Sequence, residues 1–345
     1  MRIAVLCPAE IARRRFLPAL SKRPEFTFAG VGASSAIDRL GPAGVSTGPG
    51  KEEILANSRR KAEEITAGFG GRIYEGYEAV VTADDVDAVY IPLPPALHYH
   101  WARQALLNGK HVLLEKPATL RYEDTSDLVH IAREKGLALH ENYMFRFHRQ
   151  IEDIEKLIEK GAVGAVRLYR ISFGFPMRPA GDFRYDAALG GGALFDAGGY
   201  TIRYASELLG GTASVAYAQL NGLEGFEVDM YGSGALVNGK GVTAQVAFGM
   251  DNQYKCELEV WGSEGTLSTQ RILTAPPGLV PTALLRRGQE EQVIELSEDD
   301  AFMRSIGYFG QCIQDEELRT ASYDGMLRQA ELVEEFRFKA GTSGL

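Results

Sequence analysis

Over roughly its first 140 residues the chain alternates short, unbroken apolar runs with stretches of helical periodicity. Ile3-Ala4-Val5-Leu6, Phe26 to Val31, Ala88 to Ile91, His111 to Leu114 and Leu137 to Leu139 read as strands. Helical patterns lie between them at Ile11 to Leu20, Glu52 to Ala67, Leu97 to Asn108 and Glu123 to Lys135. Gly109 and Gly136 stand where C-terminal caps belong. Strands apolar on both faces must be covered on both faces, and alternation with helices does this with a parallel sheet. The expected fold class is therefore α/β, an N-terminal doubly wound parallel sheet of Rossmann type.

The pattern changes after Gln150. An amphipathic helix, Ile151 to Glu159, precedes alternating runs at Val166 to Phe175, Ala213 to Leu220, Glu227 to Val237, Val242 to Met250 and Lys255 to Trp261. Alternation with short turns predicts a C-terminal α+β domain with a largely antiparallel open sheet. Asp299 to Arg319 and Gly325 to Lys339 read as closing helices. A length of 345 residues suits two domains. The expected division is 1–145 for dinucleotide binding and 146–345 for substrate and oligomerisation, with helix 325–339 available to pack back on the first. Gly41 to Gly50, rich in Gly and Pro, reads as a surface loop after the second strand.

A formal charge of -9 argues against a nucleic-acid binder, whose phosphate contacts need clustered Lys and Arg. Cys7, Cys256 and Cys312 are odd in number and widely spaced, which fits neither a disulfide framework nor a zinc site. A metal pair at His98 and His100 lacks any attached acidic or Cys cluster, so no metal is expected. The chain opens on a strand pattern rather than a basic leader, and no apolar run would cross a bilayer. The expected setting is cytoplasmic, with no membrane partner.

Dinucleotide sites of this fold place Gly-x-Gly-x-x-Gly between the first strand and helix, so that the pyrophosphate reaches free N–H groups at the helix start. Here the stretch is Cys7-Pro8-Ala9-Glu10-Ile11-Ala12, with Cys7, Ala9 and Ala12 at the glycine positions. Ala9 adds a methyl group toward the phosphates and Pro8 removes a donor. A plain strand-to-helix turn would read the same way, but the location at the first strand's carboxyl end favours binding. After the second strand come Ser34 and Ser35 with no acid before Asp38, and Arg39, Arg59 and Arg60 are nearby. Small hydroxyl residues with cations favour NADP over NAD, although each arginine alone also suits a solvated helix face.

The run Gly109 to Pro117, ending Glu115-Lys116-Pro117, resembles the signature of the glucose-fructose oxidoreductase / inositol dehydrogenase (Gfo/Idh/MocA) family. Tyr90 to Pro94 with His98, Glu141 to His148, and Gly190 to Tyr200 are similar to further motifs of that family, in the same order. The first two cofactor glycines are absent, and Pro95 stands where the family often has Asn or Thr. The resemblance implies a hydride-transfer enzyme acting between NADP or NAD and a secondary alcohol or ketone of a sugar, cyclitol or nucleotide-sugar. It places Cys7, Ala9, Glu10, Ile11, Ser34, Ser35, Leu93, Pro94, His98, Glu115 and Lys116 around the cofactor. It also implies a homodimer or homotetramer built on the open sheet.

Such a reaction needs a partner for the developing oxygen charge and a proton carrier. The Lys116 ammonium can polarise a carbonyl, and a charge at a buried strand's end is an unusual place for a solvated lysine. Asp196 and Tyr200, four apart at the expected start of helix Ala197 to Leu209, should share a face. Tyr200 can carry the proton and Asp196 can orient substrate hydroxyls; their alternatives are a core aromatic and a helix-start acid. Lys116, Asp196 and Tyr200 are thus expected to act as one catalytic set. Arg146, His148, Phe183 and Arg184 are candidate substrate contacts, and each also suits ordinary packing or ion pairing. Two other readings remain open: a ligand sensor without catalysis on the same scaffold, and an oxidoreductase that keeps its cofactor permanently bound.

Overall fold

Six short strands, each parallel to its neighbours, form the first sheet: β1 Arg2–Val5, β2 Thr27–Ala33, β3 Arg72–Glu75, β4 Ala88–Ile91, β5 His111–Leu114 and β6 Leu139–Glu141. Their order is β3-β2-β1-β4-β5-β6, so the winding reverses between β1 and β4. This computed structural model describes residues 1–35, 38 and 51–341. The Gly41 to Gly50 loop and Arg39 lie outside the described residues. All four side chains of β4 are buried, as are the last three of β1 and of β5, as strands covered on both faces require. Sequence patterning did not reveal β3, which has one buried residue among four.

The covering helices follow their local signals. A π-helical turn, Ala12–Phe16, runs into α1 Leu17–Leu20. α2 Lys51–Phe69, α3 Tyr77–Val81 and α4 His98–Leu107 follow. α5 Tyr122–Lys135 carries Glu123 and Asp124 in its first turn and Arg133 and Lys135 in its last, matching the helix dipole. It stops at Gly136, whose φ of 64 is the left-handed cap.

The second part opens with α6 Arg149–Glu159 and continues into an eight-stranded sheet. Its strands are β7 Val166–Gly174, β8 Ser214–Asn221, β9 Tyr231–Val237, β10 Thr243–Gly249, β11 Lys255–Gly262, β12 Thr266–Gln270, β13 Thr282–Arg287 and β14 Glu290–Glu295. The order is β14-β13-β12-β11-β7-β10-β9-β8, antiparallel except for the β7–β10 pair. Burial alternates along β9 and β11, so one face meets the core. There α7 Gly199–Leu209 packs its Tyr200, Ile202, Tyr204 and Ala205 with Ile171, Phe173, Val246 and Phe248.

The chain divides into two units, Met1–Asn142 with Ser305–Leu327, and Tyr143–Arg304 with Arg328–Leu345. A simple division at 145/146 does not account for the return of 305–327 to the first unit. The reason is buried contact: Phe309 lies parallel to Phe26 at 6.1 Å, and the Tyr323 hydroxyl donates to the Leu137 carbonyl. The closing helices are α8 Ala301–Gln314 and α9 Glu316–Lys339. They break at Asp315, earlier than the sequence pattern suggested, because its carboxylate accepts the N–H groups of Glu317 and Leu318 at 2.8 and 3.1 Å. Among the described residues no helix is long and apolar enough to cross a membrane.

Candidate active site

In the first unit the carboxyl ends of β1 and β4 flank the point where the winding reverses, the place where open α/β sheets bind ligands. Cys7 sits there. Its thiol is buried and donates to the Pro92 carbonyl at 3.4 Å, so the side chain bridges the two strand ends. Pro8 takes the centre of a tight turn closed by Ala9 N–H to the Cys7 carbonyl at 2.8 Å. The helix follows, and its first bonds are those of Ala12 and Arg13 to the Ala9 carbonyl, at 3.1 and 3.2 Å. The N–H groups of Glu10 and Ile11 precede these bonds and belong to the open helix start.

A cleft of about 150 Å³ adjoins this turn, lined by Pro8, Ala9, Glu10, Arg13, Arg60, Lys61, Glu64 and Ile65. Glu10 would repel an anion at the helix start, but Arg13 donates to it at 3.0 Å and Arg14 stands 3.8 Å away. These contacts, Arg13 foremost, hold its carboxyl below the usual range. At the end of β2, Ser34 N–H donates to Ser58 Oγ at 2.9 Å. Ser35 N–H donates to Asp38 Oδ2 at 2.5 Å, and Asp38 is buried. Asp38 is thereby committed to a turn. Helix-start N–H groups, neutralised acids and lining cations fit a dinucleotide's phosphates, with Ala9 in a glycine's place.

At the end of β5, Glu115 and Lys116 precede Pro117 across a cis peptide bond. His98, fully buried, has Nδ1 2.7 Å from the Pro117 carbonyl and Nε2 2.8 Å from the Leu93 carbonyl. Its ring therefore ties the loop after β4, which holds Leu93 and Pro94, to the turn carrying Lys116. Burial pushes its pKa down to about 4, against the two carbonyls that favour a protonated ring. Glu115 Oε1 accepts from the Tyr90 hydroxyl and from Asn142 Nδ2, both at 2.7 Å. Burial pushes this carboxyl upward, while Tyr90, Asn142 and Lys116 oppose the shift.

In the second unit a π-helical turn, Leu194–Gly198, leads into α7. Asp196 lies in that turn and Tyr200 in the first turn of α7. The Tyr200 ring is buried edge-on to Tyr143 and Phe173, with centroids 5.2 and 5.4 Å away, and its hydroxyl points to Met144 Sδ at 3.8 Å. Asp196 Oδ2 accepts Arg184 Nε at 2.6 Å, and Arg184 Nη1 also reaches Asp182 at 3.1 Å. Arg184 covers the Phe183 ring at 4.6 Å. Arg146 pairs with Glu207, which also receives Arg203. His148 caps α6, its Nδ1 accepting the Gln150 N–H at 3.2 Å. Burial holds its ring below the ordinary histidine pKa.

Some positions were missed by the sequence reading. Asp229 Oδ2 accepts the Leu194 N–H at 2.7 Å and its carbonyl accepts the Ala193 N–H at 2.8 Å, so it starts the helix that bears Asp196 and Tyr200. Burial raises its carboxyl to about 6. No local motif marks it, because its partners lie 35 residues away. Ser305 and His140, described below, are still more remote in sequence from their partners.

A dinucleotide-type crevice and a strand-end lysine in the first unit, with a second unit of one open sheet backing a buried tyrosine, define a two-domain nicotinamide-dependent oxidoreductase. The chain belongs to the Gfo/Idh/MocA family. Residues 26–143 match "Oxidoreductase family, NAD-binding Rossmann fold" and residues 151–268 match "GFO/IDH/MocA C-terminal domain". It is an NAD(P)-dependent enzyme. Among curated proteins it is 37% identical to a dTDP-3,4-didehydro-2,6-dideoxy-alpha-D-glucose 3-reductase of Actinomadura kijaniata, over 98% of this chain and 95% of that one. It is 39% identical to the protein of that name from Streptomyces violaceoruber, over 98% of this chain and 94% of the other. Among solved structures it is similar to KijD10, a 3-ketoreductase from Actinomadura kijaniata in complex with NADP and TDP-benzene. The TM-score is 0.88 at 36% identity, covering 98% of this chain and 97% of that one. KijD10 is matched also as variants in which one tyrosine is replaced by phenylalanine, or one lysine by alanine or glutamate.

Proposed function

We propose that this chain reduces a ketone on a nucleotide-linked deoxysugar with NADPH, acting at sugar carbon 3. The observation that carries this reading is the end-to-end similarity to proteins named as 3-reductases of a dTDP-linked dideoxysugar. The lysine and tyrosine replaced in KijD10 are separated by the same number of residues as Lys116 and Tyr200 here, which supports both as functional groups. The lean to NADP has its own support: Ser34 and Ser35 end β2, Asp38 is committed elsewhere, and Arg60 and Lys61 line the neighbouring cleft.

When bound, the dinucleotide is the source of the hydride for the carbonyl carbon. Glu10 and Ile11 N–H groups would hold its pyrophosphate, and Leu93, Pro94 and His98 would form the floor at its other end. The Lys116 ammonium polarises the carbonyl and stabilises the charge growing on its oxygen. The Tyr200 hydroxyl gives that oxygen its proton. Its ring is held edge-on by aromatic neighbours, which fixes where the hydroxyl oxygen sits at little entropic cost. Asp196, held by Arg184, accepts from a neighbouring sugar hydroxyl and sets the sugar's rotation. Arg146, His148, Phe183 and Arg184, all of the second unit, are the further candidate contacts for the substrate.

The test is turnover of a dTDP-linked 3-keto-deoxysugar, followed by loss of reduced-nicotinamide absorbance, with NADPH and NADH compared and a free aldose as control. Lys116→Ala and Tyr200→Phe should each lower kcat by roughly 10²- to 10⁴-fold, with NADPH affinity within about threefold of wild type. Oxidation of free aldoses with no turnover of the nucleotide sugar would overturn the reading, as would full activity of Lys116→Ala.

A further inference from the structure

A string of buried hydrogen bonds runs from the residue beside Lys116 into the closing helices, all within the first unit. The Tyr90 hydroxyl and Asn142 Nδ2 both donate to Glu115 Oε1, each at 2.7 Å. Asn142 Oδ1 accepts from Ser305 Oγ at 2.8 Å. Ser305 lies on α8, and His140 Nε2 stands 3.1 Å from its oxygen. His140 Nδ1 is 3.2 Å from Ser322 Oγ on α9, and Ser322 reaches the Leu139 carbonyl at 3.1 Å. Asn142, His140, Ser305 and Ser322 are all buried.

From Glu115 as far as His140 Nε2 the directions in this string follow from one another. A carboxylate accepts only, so the Asn142 amide must turn its nitrogen to Glu115. Its oxygen then faces α8 and needs a donor. Ser305 has one hydroxyl proton and spends it on Asn142, so it must accept from His140 Nε2–H. Each residue fixes the orientation of the next, and the chain ends on a carboxylate that also meets the backbone N–H of Lys116 and lies in the field of its ammonium. Neither the reaction nor the core needs so many buried polar groups. A serine on each helix could be alanine at lower desolvation cost.

We propose that Asn142, oriented by Ser305 and His140, is a positioning residue for Lys116: it holds the Glu115 carboxyl in place and favours its carboxylate form. The geometry rests on the oxidoreductase reading above, in which Lys116 meets the carbonyl. The groups facing Glu115 are Tyr90 from β4, Lys116 beyond the end of its own strand, and Asn142 after β6. Neighbouring Glu141 is held by the Ala118 N–H at 2.7 Å, and His98 holds the Pro117 carbonyl.

Asn142→Asp separates positioning from mere packing. As a carboxylate the new side chain repels Glu115; as a carboxylic acid it donates an O–H where the amide gave an N–H. One charge-assisted hydrogen bond corresponds to about 10- to 100-fold in rate. The expected result is a kcat lowered by that factor at neutral pH and recovering as the pH falls into the carboxylic range, a limb absent from wild type. Asn142→Ala should lose kcat at every pH without recovery, and Ser305→Ala should lose about threefold to tenfold. NADPH affinity and KM should stay within about twofold in all three. A wild-type pH profile in Asn142→Asp, or effects confined to the unfolding midpoint, overturns the proposal. Infrared titration of the Glu115 carboxyl, assigned with Glu115→Gln, reads the same claim without turnover. Glu115 should hold its proton to higher pH in Asn142→Ala than in wild type. If wild type reduces no keto-sugar, the reaction falls and this titration decides the positioning claim alone; an unchanged Glu115 band in Asn142→Ala overturns it.

Discussion

Arg184 donates its Nε–H to Asp196 Oδ2 at 2.6 Å, joining the loop after β7 to the helix turn that leads into Tyr200. Both side chains are largely buried, 21% and 14% exposed, and Asp182 shares the guanidinium. The pair fixes Asp196 and sets a cation beside it. Removing one partner strands the other in low dielectric. Arg184→Ala should lower the unfolding free energy by about 2–3 kcal/mol in urea titration. Arg184→Lys should recover only part of it, because an ammonium cannot copy the two-pronged geometry. Equal stability of Arg184→Ala and wild type would mean that Asp196 has another cation.

Asp229 gives a pH dependence of opposite sign to the usual acid unfolding. Its carboxyl is raised to about 6 by burial, whereas an unfolded aspartate titrates near ~3.9. Between those values the folded chain holds a proton that the unfolded chain has lost, so this group's contribution to stability falls as pH rises, by about 2–3 kcal/mol in all. Asp229→Asn keeps an acceptor for the Leu194 N–H and removes the titration. Its unfolding free energy relative to wild type should therefore climb by about that amount from mildly acidic to neutral pH; a pH-independent difference would contradict the assignment. Gly192 adds a steric check. At φ 118, a Cβ there would stand 2.4 Å from Asp229 Oδ1, so Gly192→Ala should displace the carboxylate and cost stability at every pH.

The parallel sheet was legible because β4 and β5, Ala-Val-Tyr-Ile and His-Val-Leu-Leu, are mostly apolar runs with almost no exposed side. β3 and β12 to β14 were not, because half or more of their residues face outward and their apolar alternation is short. The break between α8 and α9 was readable in principle, since Asp315 before Glu316-Glu317 is an ordinary helix start. Lys116 and Tyr200 stood out because unusual residues sat inside motifs. Asp229 and Ser305 could not, because what makes them matter is a partner reached across 35 or 163 residues. Local pattern records the element a residue belongs to; it carries no information on which backbone N–H that residue will meet.

His111 and His98 oppose Asp229 in direction. The Ala138 N–H donates to His111 Nδ1 at 2.9 Å, which requires that nitrogen to be unprotonated. Burial pushes both rings down to about 4, from ~6.5 in an unfolded chain. As pH falls through that interval the unfolded chain takes up protons first, so stability present above it is lost, by roughly 3 kcal/mol per ring. His111→Asn should flatten the acid limb of the stability curve by about that much while costing some stability at neutral pH. Guanidinium titrations at several pH values read the slope directly. An unchanged slope would show that His111 is already charged in the fold.

The cofactor turn carries the clearest departure from the family pattern, and the structure indicates what Cys7 does there. Its side chain is buried and turned toward the Pro92 carbonyl, joining the ends of β1 and β4. Ala9, by contrast, lines the cleft at the helix start. Any penalty for the missing glycines should therefore fall on Ala9 and not on Cys7. Cys7→Gly removes the thiol bond and adds backbone freedom to the unfolded chain, so it should cost about 1–2 kcal/mol of stability. Its NADPH affinity by fluorescence titration should stay within about threefold of wild type. Ala9→Gly should leave stability within about 1 kcal/mol and tighten NADPH binding, because a methyl group leaves the pyrophosphate's side of the turn. Tighter binding in Cys7→Gly with none in Ala9→Gly would reverse these roles and place the Cys7 side chain against the dinucleotide.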